Sequence, residues 1–133
     1  MIERVKLNYR ITPARKKIIE IFSDKTNPLS AQKVSLLLTN KNIEVNKTTI
    51  YRELDFLLKN GFITELHINS GKKFYESSKL KHHHHLICNH CGVIEDITLK
   101  RDLAGEEKRL ELEKRFKISN HSLEFFGLCA NCQ

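Results

Sequence analysis

The four cysteines of this chain all lie in its second half, as Cys88-Asn89-His90-Cys91 and Cys129-Ala130-Asn131-Cys132, with 37 residues between the pairs. A Cys-x-x-Cys pair forms a tight knuckle whose two sulfurs point at one ion. Two such pairs supply the four thiolates of a tetrahedral zinc site with no open coordination position. Such a site is structural. It would staple Cys132, next to Gln133, to the start of the second module, and a short module with a small core benefits from that. Disulfides or a redox-active pair are the competing readings, and without a signal peptide a cytosolic chain is expected to keep its thiols reduced.

A second group of donors is the run Lys81-His82-His83-His84-His85. In a strand, alternate side chains point to opposite faces, so His83 and His85 share one face and His82 and His84 the other. That geometry can feed two metal sites. Imidazole suits zinc, iron(II), nickel or copper, and an added carboxylate shifts the preference toward harder ions. Glu76, before the run, and Asp96, after it, are the candidate carboxylates. His121 stands alone in Asn120-His121-Ser122, and for it and His82 an ordinary surface or core role stays open. His67 and His90 read as ordinary histidines. Hydrolytic chemistry needs an open metal position beside a general base. Neither His-Glu-x-x-His nor Gly-x-Ser-x-Gly occurs, so no catalytic residue and no enzymatic activity is expected.

The 133 residues carry 23 Lys and Arg against 16 Asp and Glu, a net charge of +7. Residues 1–78 hold 14 basic and 8 acidic side chains, whereas residues 79–133 hold 9 and 8. A basic half beside a near-neutral half suggests two modules, the first facing a polyanion. No apolar run reaches the roughly 20 residues of a membrane span. No charged opening followed by an apolar stretch and a small-residue cleavage site is present, so a cytoplasmic chain is expected.

The basic half reads as three helices and a hairpin. Thr12 and Pro13 suit an N-cap and a first helical position, and Ala14, Ile18, Ile21 and Phe22 form one helical face. Asn27-Pro28 breaks the chain, and Ser30 can cap a second helix that turns Ala31, Val34, Leu37 and Leu38 inward. A third helix is expected from about Lys47 to Asn60, stopped by Gly61. Its apolar face is Ile50, Leu54, Leu57 and Leu58, and its polar face is Thr48, Arg52, Asp55 and Lys59. Ile63 to Ile68 and Lys72 to Tyr75 read as strands around Asn69-Ser70-Gly71. This order describes a winged helix-turn-helix whose third helix enters the DNA major groove, with Lys47, Thr48, Thr49, Tyr51 and Arg52 nearest the bases or phosphates. A small helical domain with a solvated third helix shares the same periodicity.

The other half alternates strand, strand, helix, strand: the histidine run through Cys88, Val93 to Ile97, Leu99 to Phe116 with Gly105 inside it, and Lys117 to Leu128. The fold class is therefore α+β, with a winged-helix domain at 1–78 and a small α/β metal-binding domain at 79–133.

These residues together resemble the ferric uptake regulator (Fur) family of metal-dependent bacterial transcription factors over nearly the whole chain. Arg15, in Thr12-Pro13-Ala14-Arg15, matches a family arginine near the start of the DNA-contacting region. Thr49-Ile50-Tyr51-Arg52 resembles the recognition-helix motif, and the stretch from His82 to Gly92 is similar to the family's most specific signature. The resemblance implies a homodimer held by the C-terminal dimerisation domain, with structural zinc at Cys88, Cys91, Cys129 and Cys132. It implies a regulatory divalent metal (iron(II), zinc(II) or manganese(II)) held between the modules by Glu76, His83, His85 and Asp96. A second regulatory site would use His82, His84 and His121. The implied partner is a palindromic double-stranded DNA operator, contacted by Arg15, Tyr51 and Arg52, and the implied role is repression of metal-uptake genes.

This chain departs from the family pattern at three places. Asn27-Pro28-Leu29 has no histidine where the family adds a regulatory ligand. Leu103-Ala104 replaces the second site's helical carboxylate, with Asp102 and Glu106 as the nearest substitutes. Asp96 stands where most members carry Glu, which resembles the peroxide-sensing branch. A metal-buffering protein that uses the histidines without DNA is the rival from another class.

Overall fold

The Thr12 hydroxyl accepts a hydrogen bond from Arg15 N at 3.2 Å, and Pro13 takes the first helical position. An N-cap of this kind contributes about 1 kcal/mol. The helix it starts, α1, spans Pro13–Asp24. Ser30 does the same for α2, Ala31–Asn40, and Asn46 for α3, Lys47–Lys59, where its side chain accepts from Thr49 N at 2.8 Å. At the far end of α3, Phe62 N donates to Leu57 O and Gly61 N to Leu58 O. This pairing needs a left-handed residue after the cap, and Gly61 supplies it at φ +74°.

In this computed structural model, which describes residues 10–66, 68 and 71–133, the chain divides into two units, Met1–Leu80 and Lys81–Gln133. The first unit packs α1, α2 and α3 against a three-stranded antiparallel sheet of order β1-β3-β2. Its strands are β1 (Leu29–Ser30), β2 (Ile63–Leu66) and β3 (Phe74–Ser77). Ile18, Val34, Leu38, Leu54 and Leu57 are fully buried at its centre. Each such side chain contributes roughly 1.5–3 kcal/mol. The short β1 was not expected from the Asn27-Pro28 break. It pairs Leu29 with Tyr75 and carries the chain directly into the α2 cap. β2 and β3 form an antiparallel pair, from Ile63↔Ser77 to Leu66↔Phe74, with β3 two residues later than the expected Lys72 to Tyr75. The hairpin turn expected at Asn69-Ser70-Gly71, and His67, lie outside the described residues except for Gly71.

The second unit is a three-stranded sheet of order β5-β4-β6 with one helix. β4 (His84–Cys88) is central, antiparallel to β5 (Ile94–Ile97) and parallel to β6 (Glu124–Gly127). The helix, α4, spans Ala104–Lys114, shorter at both ends than the expected Leu99 to Phe116. Asp102 Oδ1 accepts from Ala104 N at 3.2 Å and so marks its start, and Arg115 adopts a left-handed conformation at φ +51° that ends it. The final strand is likewise shorter than the expected extended run. None of the α4 side chains is buried. Leu112 and Phe116 are 81% and 67% exposed, and Leu86, Phe125, Phe126 and Leu128 are also exposed. Among the described residues, no helix is long and apolar enough to cross a membrane.

Candidate metal centres and nucleic-acid interface

The two cysteine pairs meet at the edge of the second unit. The first knuckle is closed by Gly92 N donating to Cys88 O, with Gly92 at φ +78°, and the second by Cys132 N donating to Cys129 O. All four sulfurs lie within 4.8 Å of one another, and Cys91 Sγ is 3.7 Å from Cys129 Sγ. A disulfide is close to 2 Å long. A tetrahedral site with zinc–sulfur bonds near 2.3 Å has sulfur–sulfur edges of about 3.8 Å. The donor set therefore fits zinc. Backbone N–H groups of Cys129 and Cys91 lower the Cys88 thiol to about 5. The neighbouring Cys129 sulfur pushes Cys132 up to about 12. Four sulfurs this close do not all shed their protons unless a cation takes their place.

The histidine run alternates as a strand does. On one face His83 Nδ1 donates to Lys81 O at 2.6 Å, which leaves its Nε2 as an acceptor, 3.1 Å from His85 Nε2. Asp96 sits opposite His85 on β5, and its Oδ1 is 3.3 Å from His85 Nε2 and 3.9 Å from His83 Nε2. Two imidazole nitrogens and a carboxylate oxygen thus converge. Glu76 belongs to the first unit, on β3 opposite Thr64.

On the other face His82, His84 and His121 bring one nitrogen each within 4.8 Å of one another. His82 Nε2 lies 3.0 Å from His121 Nε2. His84 Nδ1 donates to Leu123 O at 3.1 Å, and burial lowers its pKa, which favours the neutral ring a metal needs. The sequence reading missed one member of this group. Glu107 Oε1 is 2.6 Å from His121 Nδ1. Asp102 and Glu106, the expected substitutes, are used elsewhere: Asp102 accepts from Ala104 N just ahead of α4, and Glu106 pairs with Arg109. No spacing in the sequence announces Glu107, because its partner His121 lies 14 positions on, beyond the end of α4.

In the first unit α3 presents Lys47, Thr48, Tyr51, Arg52, Asp55 and Lys59 to solvent, while Ile50, Glu53, Leu54 and Leu57 are buried. Its first turn has no acidic residue, so the positive end of the helix dipole and Lys47 remain available to an anion. Lys47 Nζ lies 5.9 Å from the Tyr51 ring centre. Arg15 does not share this face. Its Nε and Nη2 donate to Glu53 at 2.6 and 3.3 Å, Nη1 donates to Arg10 O at 3.1 Å, and Cζ stacks 3.6 Å above the Phe56 ring.

Known proteins resemble this chain in sequence and in fold. Residues 6–126 match the model of the ferric uptake regulator family. The chain is 32% identical over 130 residues to the ferric uptake regulation protein of Bacillus subtilis (strain 168), covering 94% of this chain and 86% of that protein. A solved Francisella tularensis ferric uptake regulator with iron has the same fold, with a TM-score of 0.83 at 24% identity over 95% of this chain and 96% of that one. The Helicobacter pylori ferric uptake regulator, described as having three functional metal-binding sites, superposes with a TM-score of 0.79 at 26% identity, covering 96% and 84%.

Proposed function

We propose a function from one premise: this chain belongs to the ferric uptake regulator family of metal-responsive transcriptional regulators. It is a homodimeric repressor that binds a palindromic DNA operator when a labile divalent ion is bound, and it acts by binding rather than by catalysis. The observation that carries this reading is the convergence of His83, His85 and Asp96 on one point of a unit that follows directly on a basic winged helix.

The assignments follow from the chemistry of the donors. Cys88, Cys91, Cys129 and Cys132 hold a structural zinc that stabilises the second unit. His83, His85 and Asp96 hold the regulatory ion, with Glu76 as the ligand contributed by the first unit. His82, His84 and His121 form a second metal site. Exposed Leu86, Phe125, Leu112 and Phe116 support a dimer interface in the second unit, since apolar surface of this kind is ordinarily covered. Lys47, Thr48, Thr49, Tyr51 and Arg52 contact DNA, and Arg15 holds the reading helix in place through Glu53. Because the ion binds the DNA-competent arrangement more tightly, metal and DNA affinities rise together.

The test is a titration of an operator fragment, selected from random sequence with metal present, against iron(II), manganese(II) and zinc(II) after the labile ions are stripped. One of the ions is expected to restore sequence-specific binding. A protein that buffers metal without reading DNA gives no specific shift with any of them. A peroxide-sensing variant is favoured by Asp96, whose carboxylate lies against His85. It predicts that dilute peroxide adds oxygen to His83 or His85 in the iron-loaded protein and not in the manganese-loaded one.

A further inference from the structure

The second unit holds two histidine clusters that differ in where the carboxylate stands. At His83 and His85 the Asp96 oxygen lies among the ligand nitrogens. At His82, His84 and His121 the carboxylate stands behind the ring, on the nitrogen that faces away from the cluster. We propose that His82, His84 and His121 form an all-nitrogen zinc(II) site that discriminates against manganese(II) and iron(II), and that Glu107 is the positioning residue that sets it up. This rests on the reading of that trio as a metal site.

Two fixed hydrogen bonds carry the inference. A backbone carbonyl only accepts, so Leu123 O holds the proton on His84 Nδ1 and leaves Nε2 as a lone pair. A carboxylate likewise accepts, so Glu107 holds the proton on His121 Nδ1 and frees Nε2. That Nε2 faces His82 Nε2 at 3.0 Å. A tetrahedral site with zinc–nitrogen bonds near 2.05 Å has nitrogen–nitrogen edges of about 3.3 Å. His84 and His121 are thus preset in tautomer, and His82 and His121 in spacing, before any ion arrives. A carboxylate behind a ligand imidazole also raises the basicity of the metal-facing nitrogen.

The ion class follows from the donors. Three neutral imidazoles favour zinc over the weaker-binding manganese(II) and iron(II), which gain most from anionic oxygen. At the corresponding helix start this chain has Leu103, which cannot ligate, and Glu107 comes one turn later, where its oxygen meets the far side of His121. The Glu107 backbone N–H donates to Leu103 O at 2.8 Å, so the carboxylate is held on the first turn of a regular helix. A cavity of about 410 Å³ bounded by Thr98, Leu99, Leu103 and Ser119 adjoins the trio and leaves room for water in the fourth position.

The test uses the full-length His83→Ala protein, whose Asp96-containing site lacks a ligand, with its four-thiolate zinc retained and the labile ions removed. Cobalt(II) is added as a spectroscopic probe and then competed with zinc(II) or manganese(II). The expected result is a visible cobalt band without thiolate-to-cobalt absorption, displaced by stoichiometric zinc and unmoved by a hundredfold excess of manganese. Glu107→Gln, which keeps the shape and removes the charge, is expected to weaken zinc at this site 10- to 100-fold. His82→Ala, at an exposed position, is expected to abolish the band while the melting temperature of the protein without labile ions stays unchanged. Equal competition by manganese, or wild-type zinc affinity in a folded Glu107→Gln, would overturn the proposal. No DNA enters this measurement, so loss of operator binding would sink the repressor reading and leave this one standing, and the reverse also holds.

Discussion

Arg15 Nε donates to Glu53 Oε2 at 2.6 Å, and its Nη2 reaches the other oxygen of the same carboxylate at 3.3 Å. The two side chains are only 16% and 9% exposed. This two-pronged ion pair ties α1 to the inner face of α3, and the Phe56 ring backs the guanidinium. Removing one partner leaves the other charge buried and unpaired. Arg15→Ala is expected to destabilise the first unit by about 3 kcal/mol in denaturant unfolding. Arg15→Met combined with Glu53→Leu should recover most of that loss. The salt dependence of DNA binding decides whether Arg15 also touches a phosphate. An unchanged slope for the folded double variant means it does not, and a slope lower by about one means it does.

Arg52 and Tyr51 lie on the solvent face of α3, one turn from its N-terminus. Arg52→Ala is expected to weaken operator binding by about 1–3 kcal/mol, roughly 5- to 150-fold, without changing thermal stability. Fluorescence anisotropy on operator and scrambled DNA measures both terms. Equal binding of the variant and the wild type to both DNAs would remove α3 from the role of reader.

Cys88→Ser removes the sulfur that backbone N–H groups hold most readily as thiolate. A structural zinc contributes on the order of 10 kcal/mol to a small module. The variant should therefore purify without that zinc and lose protection from hydrogen exchange across β4, β5 and β6, while α1, α2 and α3 stay protected. Retained zinc and a folded second unit would contradict the assignment.

Acid should release the same zinc from the wild type. Cys132 sits high, at about 12, beside Cys129, so protons compete for the four-thiolate set well before free carboxylates titrate. Zinc release to a chelator should accelerate as pH falls from 8 to 5. A rate that stays flat or slows on acidification is the contrary result.

His83→Ala removes a nitrogen that converges with His85 and Asp96, on the strand face opposite His82 and His84. It is expected to abolish the metal response of DNA binding and leave zinc content and dimer mass unchanged. Size-exclusion light scattering with metal analysis checks the second half of that statement.

Much of this was legible before the structure because local chemistry set it. Thr12, Ser30 and Asn46 cap helices by contacts within three residues, so the three helices of the first unit fall where the periodicity puts them. Strand alternation alone separated His83 and His85 from His82 and His84. What escaped depended on partners distant in sequence. β1 exists because β3, 44 or more positions away, offers it an edge. The approach of Glu107 to His121, 14 positions on, depends on how α4 and the chain after it fold back together. The Arg15–Glu53 pair escaped as well, because nothing near Arg15 in sequence announces Glu53, 38 positions on, and the DNA contact expected of Arg15 came from the family resemblance.

The central claim is that a labile ion couples to DNA reading while the four-thiolate zinc only supports the fold. The most direct measurement is operator affinity at fixed salt for one preparation in two states. In the first the labile ions are stripped and four-thiolate zinc is verified at one per chain. In the second the ion identified by titration is restored. The account predicts a gain of about 5- to 150-fold on restoring the ion, matching a coupling of roughly 1–3 kcal/mol. Equal affinity in the two states would contradict it.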